Sequence, residues 1–174
     1  MRTFTGRLYQ PLNIDPLALD IRDVAHALSL LCRFGGHART FYSVAQNSVQ
    51  VSRIAEGLDP AAALWGLLHD ASEAYLGDVP SPLKATEVFA PYRDAERVLQ
   101  AALFECFGCF GPVPAAVHVA DETQLAIEFR DLMPHVKGDA WREEAGGAPT
   151  IVPLPAIEAE AAFLRRFLEL WRPA

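Results

Sequence analysis

The stretch Asp59-Pro60-Ala61-Ala62-Ala63-Leu64-Trp65-Gly66-Leu67-Leu68-His69-Asp70-Ala71-Ser72-Glu73-Ala74-Tyr75 decides the fold. Asp59 suits a helix N-cap, where its carboxylate can accept from the free N–H groups of the first turn, and Pro60 suits the first helical position. From Ala61 to Tyr75 the segment is apolar on most sides, so it predicts a helix at the centre of the molecule. His69 and Asp70 emerge side by side from this apolar run. Glu73 follows one helical turn later and points the same way, and Asp78 follows Gly77. An adjacent imidazole and carboxylate can bind a divalent transition ion; without an ion, a buried His-Asp pair is a satisfied hydrogen-bonded couple.

Helical spacing continues on both sides of this segment. After an irregular or strand-like start from Thr3 to Asn13, Asp20 can cap a helix through Val24, Leu28, Leu31 and Cys32, ending near Gly35-Gly36. A second helix is expected over Tyr42 to Glu56, with Val44, Val51 and Ile54 buried and Gly57 as its stop. Gly77-Asp78-Val79-Pro80-Ser81-Pro82 reads as a turn or loop, because two prolines so close cannot continue a helix. Later helices are expected over about 92–107, 115–132 and 156–171, the last docking through Ala162, Phe163, Phe167 and Leu170. Gly138 to Pro155, rich in glycine and proline, reads as a loop or lid. With no β-branched runs for a sheet, no repeat and no linker, the fold class is all-α, a single-domain helical bundle over residues 1–174.

Composition narrows the function. The chain has 174 residues, 51% of them apolar, and a formal charge of -7, enough for one filled core. The acidic balance and the lack of Lys/Arg runs argue against an extended nucleic-acid or anionic-membrane surface, but leave room for a small anion in a locally basic pocket. No apolar run approaches the roughly 20 residues that span a bilayer, and no signal-peptide pattern opens the chain. A cytoplasmic protein with a small-molecule substrate is the expectation. Cys32, Cys106 and Cys109 are too few for a four-thiolate zinc site and read as core packing. His26, three residues from Asp23, His118, four from Glu122, and His135, after Pro134, read as structural or exposed.

Cys32-Arg33-Phe34, Tyr42-Ser43-Val44-Ala45-Gln46, the block from His69 to Lys84, and Val119-Ala120-Asp121-Glu122 together resemble the HD-domain phosphohydrolases over roughly residues 20–132. Within that superfamily the pattern is most similar to small 5'-deoxynucleotidases and phage deoxyadenosine-triphosphate hydrolases. The resemblance implies a mainly helical bundle and one divalent transition metal ion, such as zinc, cobalt or manganese, that activates water for attack on phosphorus. It implies His69, Asp70 and Asp121 as metal ligands, Glu73 beside the attacking water and Asp78 near the sugar or leaving group. Arg33 and Lys84 match basic residues of the pattern, and Phe34 an aromatic by the base or sugar. It also implies a homo-oligomer. The chemistry agrees: imidazole and carboxylate suit these ions, an open coordination position produces a nucleophile near neutral pH, and a planar Arg fork suits phosphate oxygens.

The pattern breaks at one ligand. Where the family places a His before Ser, this chain has Gln46-Asn47-Ser48. An amide oxygen is a hard neutral donor, better suited to magnesium than to zinc. Asn47 can coordinate through its oxygen; His37, in the glycine-flexible Gly35-Gly36-His37, can substitute or can contact substrate phosphate; or the chain has lost the metal and kept nucleotide binding. Three function classes follow: a phosphohydrolase of (deoxy)ribonucleotides, a non-catalytic nucleotide-binding HD module, and another HD enzyme such as an alarmone hydrolase or a di-iron oxygenase. A di-iron site needs more His ligands than these motifs supply.

Overall fold

The computed structural model describes residues 1–10, 12–13, 15–135 and 145–172, and among them it is all-α. The extended contacts there are two isolated antiparallel bridges, Arg2 with Leu8 and Cys32 with Ser43. The N-terminal segment is therefore irregular rather than a strand.

Helix α1 spans Ile21–Leu30 and starts where expected, with the Asp20 carboxylate accepting from Arg22 N. It stops five residues short of Gly35. Leu31 turns extended, Val44 N donates to Leu31 O and Arg33 N to Tyr42 O. The chain thus doubles back through the tight turn Arg33–Gly36, where Phe34 sits at φ 58°, a left-handed conformation that non-glycine residues seldom adopt. Helix α2, Val44–Leu58, is capped by Ser43, whose hydroxyl accepts from Gln46 N. Gly57 lies inside its last turn rather than ending it.

The expected central helix is present but broken. A 3-10 turn over Pro60–Ala62, capped by Asp59, leads into α3, Ala63–Leu68; four turn residues follow, and α4 is Glu73–Leu76. Inside the break the side chain of Gln100 intervenes: its Nε2 donates to Leu68 O at 2.7 Å and its Oε1 accepts from Ser72 N at 2.9 Å. Insertion of a side chain into the i to i−4 ladder is a recognised cause of helix kinks. His69 and Asp70 consequently sit in a turn, not on a helix. Gly77, at φ 85°, ends α4.

Pro82 is accommodated in the first turn of α5, Ser81–Lys84, where its missing N–H costs nothing, so the proline segment ends in a helical turn. Helices α6, Ala90–Cys106, α7, Ala115–Leu132, and α8, Ala156–Leu170, occur where the periodicity puts them. Helix α2 is the hub, packing against α3, α7 and α8. Its approach to α3 is close because residue 66 is glycine: a Cβ there would lie 3.1 Å from Ser52 Cα and 3.2 Å from Val51 O. Helix α8 docks through Ala159, Phe163 and Phe167, all buried.

Part of the predicted 138–155 loop, residues 138–144, lies outside the described residues. The remainder is pinned down rather than loose. Gln46 donates from Nε2 to Val152 O and accepts at Oε1 from Leu154 N, each at 2.8 Å, and Asp131 accepts from Ile151 N.

Other expectations divide. Cys109 is buried in the core, and burial pushes its thiol up to about 12, but Cys106 is exposed and Cys32 half-buried, so core packing describes only one of the three. His26 pairs with Glu160 at 3.1 Å and stacks on Phe4, whereas Asp23 instead binds the backbone N–H and hydroxyl of Thr5. Val119 is exposed, and the buried side of α7 runs through Val117 and Ala120. No helix among the described residues is long and apolar enough to cross a membrane.

Candidate functional site

The break between α3 and α4 turns His69 and Asp70 toward α7. His69 Nδ1 lies 2.9 Å from Gly66 O, and a carbonyl only accepts, so Nδ1 carries a proton and donates. That leaves Nε2, which faces Asp70 Oδ2 at 3.2 Å and Asp121 Oδ1 at 3.5 Å. Nε2 is buried and has no hydrogen-bond partner of good geometry. Burial opposes charge on this imidazole, but Asp70 and Asp121 outweigh it and hold its pKa well above the ordinary value. Burial likewise opposes ionisation of Asp70, and the neighbouring His69, Arg33 and Lys84 overcome it, so its pKa lies well below the carboxylate range.

One cleft of about 570 Å³ opens over this group. Arg33, Phe34, His37, Asp70, Glu73, Asp78, Lys84 and Asp121, each singled out in the sequence, all line it. Leu125, Phe129 and Met133 from α7 add an apolar side; Phe34 packs edge-on to Phe129 with ring centroids 5.5 Å apart. The tight turn after the Cys32–Ser43 bridge delivers Arg33 and Phe34 together, and Arg33 lies over the Phe34 ring at 5.4 Å.

Glu73 is buried, and one of its oxygens, Oε2, has no partner. Burial, then the charges of Asp70 and Asp78, push it up to about 9, although Lys84 Nζ stands 3.2 Å from its other oxygen. Asp78 is also raised, by burial and then by Asp70 against the opposing pull of Arg33. Lys84 is not the free point charge its place after Pro82-Leu83 suggests: it also binds Glu96 at 2.6 Å. His37 is exposed, and Asp121 is half-exposed.

Asn47 lies behind the cleft on α2, fully buried. Its Nδ2 donates to Glu128 Oε1 at 2.7 Å, and its Oδ1 has no partner. Glu128 is itself fully buried and also accepts from Arg33 Nε at 2.9 Å and Gln124 Nε2 at 3.1 Å. Gln100, Glu96, Gln124 and Glu128 were not read from the sequence as site residues. The available signal was spacing: Asp121, Gln124 and Glu128 fall at i, i+3 and i+7 on α7 and share one face.

Among the described residues no group of three or more His, Cys, Asp and Glu side chains is arranged, as it stands, to hold a metal ion. The donor types fit one, and two spacings are near what it needs: neighbouring ligand atoms about 2.1 Å from a common ion stand roughly 3.0–3.4 Å apart, and Asp70 Oδ2 and Asp121 Oδ1 lie 3.2 and 3.5 Å from His69 Nε2. The unpartnered buried oxygen of Asn47 is a further donor without an assigned role.

The chain has relatives among known proteins. The chain is 35% identical over 98% of its length to the uncharacterized protein YfdR of Escherichia coli (strain K12), and covers 94% of that protein. The chain belongs to the YfdR family. It is also 30% identical to the uncharacterized protein RCAP_rcc00048 of Rhodobacter capsulatus, covering 95% of it. A 5'-deoxynucleotidase of Klebsiella pneumoniae (strain 342) is 28% identical over 130 residues, which are 70% of this chain and 56% of that protein. No family model matches the chain. The YfdR-family chain thus has distant relatives named as 5'-deoxynucleotidases.

Proposed function

We propose that the protein is an HD-type phosphohydrolase that hydrolyses a phosphate ester or anhydride of a (deoxy)ribonucleotide. The observation that carries this reading is the convergence of Asp70 Oδ2 and Asp121 Oδ1 on the free Nε2 of His69, beneath a cleft walled by Arg33 and Lys84. His69, Asp70, Asp121 and the Asn47 oxygen would hold one divalent ion, with zinc, cobalt or manganese suited to the imidazole and magnesium favoured more by the amide oxygen. Such an ion supplies Lewis-acid chemistry and makes water nucleophilic near neutral pH.

The chain's own groups do the rest. Arg33, with Lys84 and His37, offers hydrogen bonds to phosphate oxygens and balances charge that develops as the phosphorus is attacked. Glu73, raised to about 9, can hold a proton in the cleft and exchange it with water there, and Asp78, whose pKa burial raises, lines the same cleft as a second carboxyl for the leaving side. Phe34, with Leu125 and Phe129, offers an apolar surface for the base or sugar. The name of the Klebsiella relatives supports a deoxynucleotide as substrate.

A second reading, a nucleotide-binding module without catalysis, is favoured by one observation: Asn47 occupies a position where the resembling enzymes carry a ligand histidine, and its amide is committed to Glu128. Elemental analysis of the purified protein, followed by phosphate and triphosphate release from a panel of deoxy- and ribonucleotides with manganese, cobalt, zinc and magnesium, separates the two. The assay is run on the chain and on Asn47→His. Release of phosphate or triphosphate by the unaltered chain supports the enzyme; nucleotide binding with no hydrolysis by either form sinks it and leaves the binding module.

A further inference from the structure

Glu128 is the most completely enclosed acid in the described chain that sequence reasoning did not single out. It lies two helical turns beyond Asp121 on α7 with no solvent exposure. Its Oε2 accepts from Arg33 Nε at 2.9 Å, and its Oε1 from Asn47 Nδ2 at 2.7 Å and Gln124 Nε2 at 3.1 Å. Arg33 lines the cleft, whereas Glu128 stands behind it.

Two consequences follow from where these bonds fall. A guanidinium has five N–H donors in a fixed plane, and Glu128 engages Nε, leaving the terminal nitrogens for an anion. The nearest of those, Nη1, is 3.6 Å from Asp70 Oδ2, outside good hydrogen-bond range. With a side chain only 13% exposed, Arg33 needs a counter-charge. Without Glu128, Asp70 is the next carboxylate it can close on, and closure would take both Asp70 from His69 and the terminal N–H groups from the cleft.

We propose that Glu128 is a positioning residue that anchors Arg33 through Nε, so that its terminal N–H groups face substrate phosphate and Asp70 stays with His69. The same carboxylate fixes the Asn47 amide with its oxygen unpaired, so one buried group sets the orientation of both the phosphate fork and the unusual fourth donor. This inference rests on the reading of the cleft as a nucleotide phosphohydrolase site.

The test compares the wild type with Glu128→Gln, Glu128→Asp, Arg33→Ala and the double variant Glu128→Asp/Arg33→Ala. Two quantities are read: the Arg33 Nε–H resonance by ¹⁵N NMR in substrate-free protein, and KM and kcat for the best deoxynucleotide of the panel. Glu128→Gln is expected to shift or broaden the Arg33 resonance and to raise KM at least tenfold with a smaller fall in kcat. Glu128→Asp is expected to give a partial rise in KM that shrinks in the Arg33→Ala background to the part carried through Asn47, as it must if Glu128 acts on phosphate binding through Arg33. Should Glu128→Gln fail to fold, Glu128→Asp carries the test. An active wild type whose KM and Arg33 resonance are unchanged by either Glu128 variant overturns this inference alone. A wild type that neither hydrolyses nor binds any nucleotide overturns the proposed function and this inference with it.

Discussion

Leu68 and Ser72, which an unbroken helix would join by a backbone hydrogen bond, are joined instead through Gln100. The amide bridges Leu68 O at 2.7 Å and Ser72 N at 2.9 Å. It thereby satisfies both backbone groups while letting the chain turn at His69 and Asp70. Gln100→Ala should leave both groups unsatisfied in a buried break, and a buried orphan costs about 1–3 kcal/mol. Urea unfolding should read a loss of that size. Stability within about 0.3 kcal/mol of wild type would mean that water replaces the amide at little cost.

Gly66 is needed for a different reason. An added Cβ would meet Ser52 Cα at 3.1 Å and Ala55 Cβ at 3.2 Å, backbone and side chain of the hub helix. Gly66→Ala raises helix propensity by about 1 kcal/mol, but forcing α2 from α3 should cost about 1–3 kcal/mol. A lower midpoint in thermal unfolding is therefore expected, together with weaker retention of any ion at His69, three residues on. A raised midpoint would mean that the two helices separate easily.

How far the sequence reading reached follows the range of the interactions. Helix α7 fits its expected bounds, Ala115 to Leu132, because its signals are local: Pro114 precedes it and apolar residues recur through it. The broken central helix was illegible for the opposite reason, since Ala61 to Tyr75 carries no proline, its one glycine, Gly66, lies inside α3 and not at the break, and the interrupting group is 28 residues beyond Ser72. Arg33, Asp70 and Lys84 could be placed in one site by motif resemblance. Glu128 and Glu96 could not, because an isolated glutamate in a helix reads as a solvated surface residue until the fold puts Arg33 or Lys84 against it.

The pH dependence of stability should expose Glu73. Burial first, then Asp70 and Asp78, raise it to about 9 from an ordinary 4.5. Below the unfolded value both states are protonated, and its contribution is fully present. As pH rises from about 4.5 to about 9, the unfolded chain releases a proton that the folded chain keeps, so stability falls across that window. Asp70, shifted down, acts in the opposite sense and at lower pH, losing its contribution as pH falls below the ordinary carboxylate range. His69, shifted up, loses stability with rising pH as Glu73 does. Comparison of chelator-treated wild type with Glu73→Gln therefore isolates Glu73: the variant should gain on the wild type between about pH 5 and about pH 9 in urea unfolding. A difference that does not change with pH would mean that Glu73 is ionised throughout.

Asn47→His should increase retained transition metal. Metal-binding imidazoles commonly donate their second N–H to a carboxylate, which fixes the ring and raises its basicity. Glu128 already accepts from the side chain at position 47 at 2.7 Å, so the partner that a histidine there requires is in place. Imidazole also binds manganese, cobalt and zinc more tightly than an amide oxygen does. At least tenfold tighter zinc binding is expected by competition with a chromophoric chelator. Asp70→Ala is the counterpart, expected to abolish retention in either background, because Asp70 Oδ2 lies nearer His69 Nε2, at 3.2 Å, than Asp121 Oδ1 does, at 3.5 Å. Tighter binding in Asn47→His that survives Asp70→Ala would locate the ion away from the His69–Asp70 turn and remove the ligand assignment on which the catalytic reading depends.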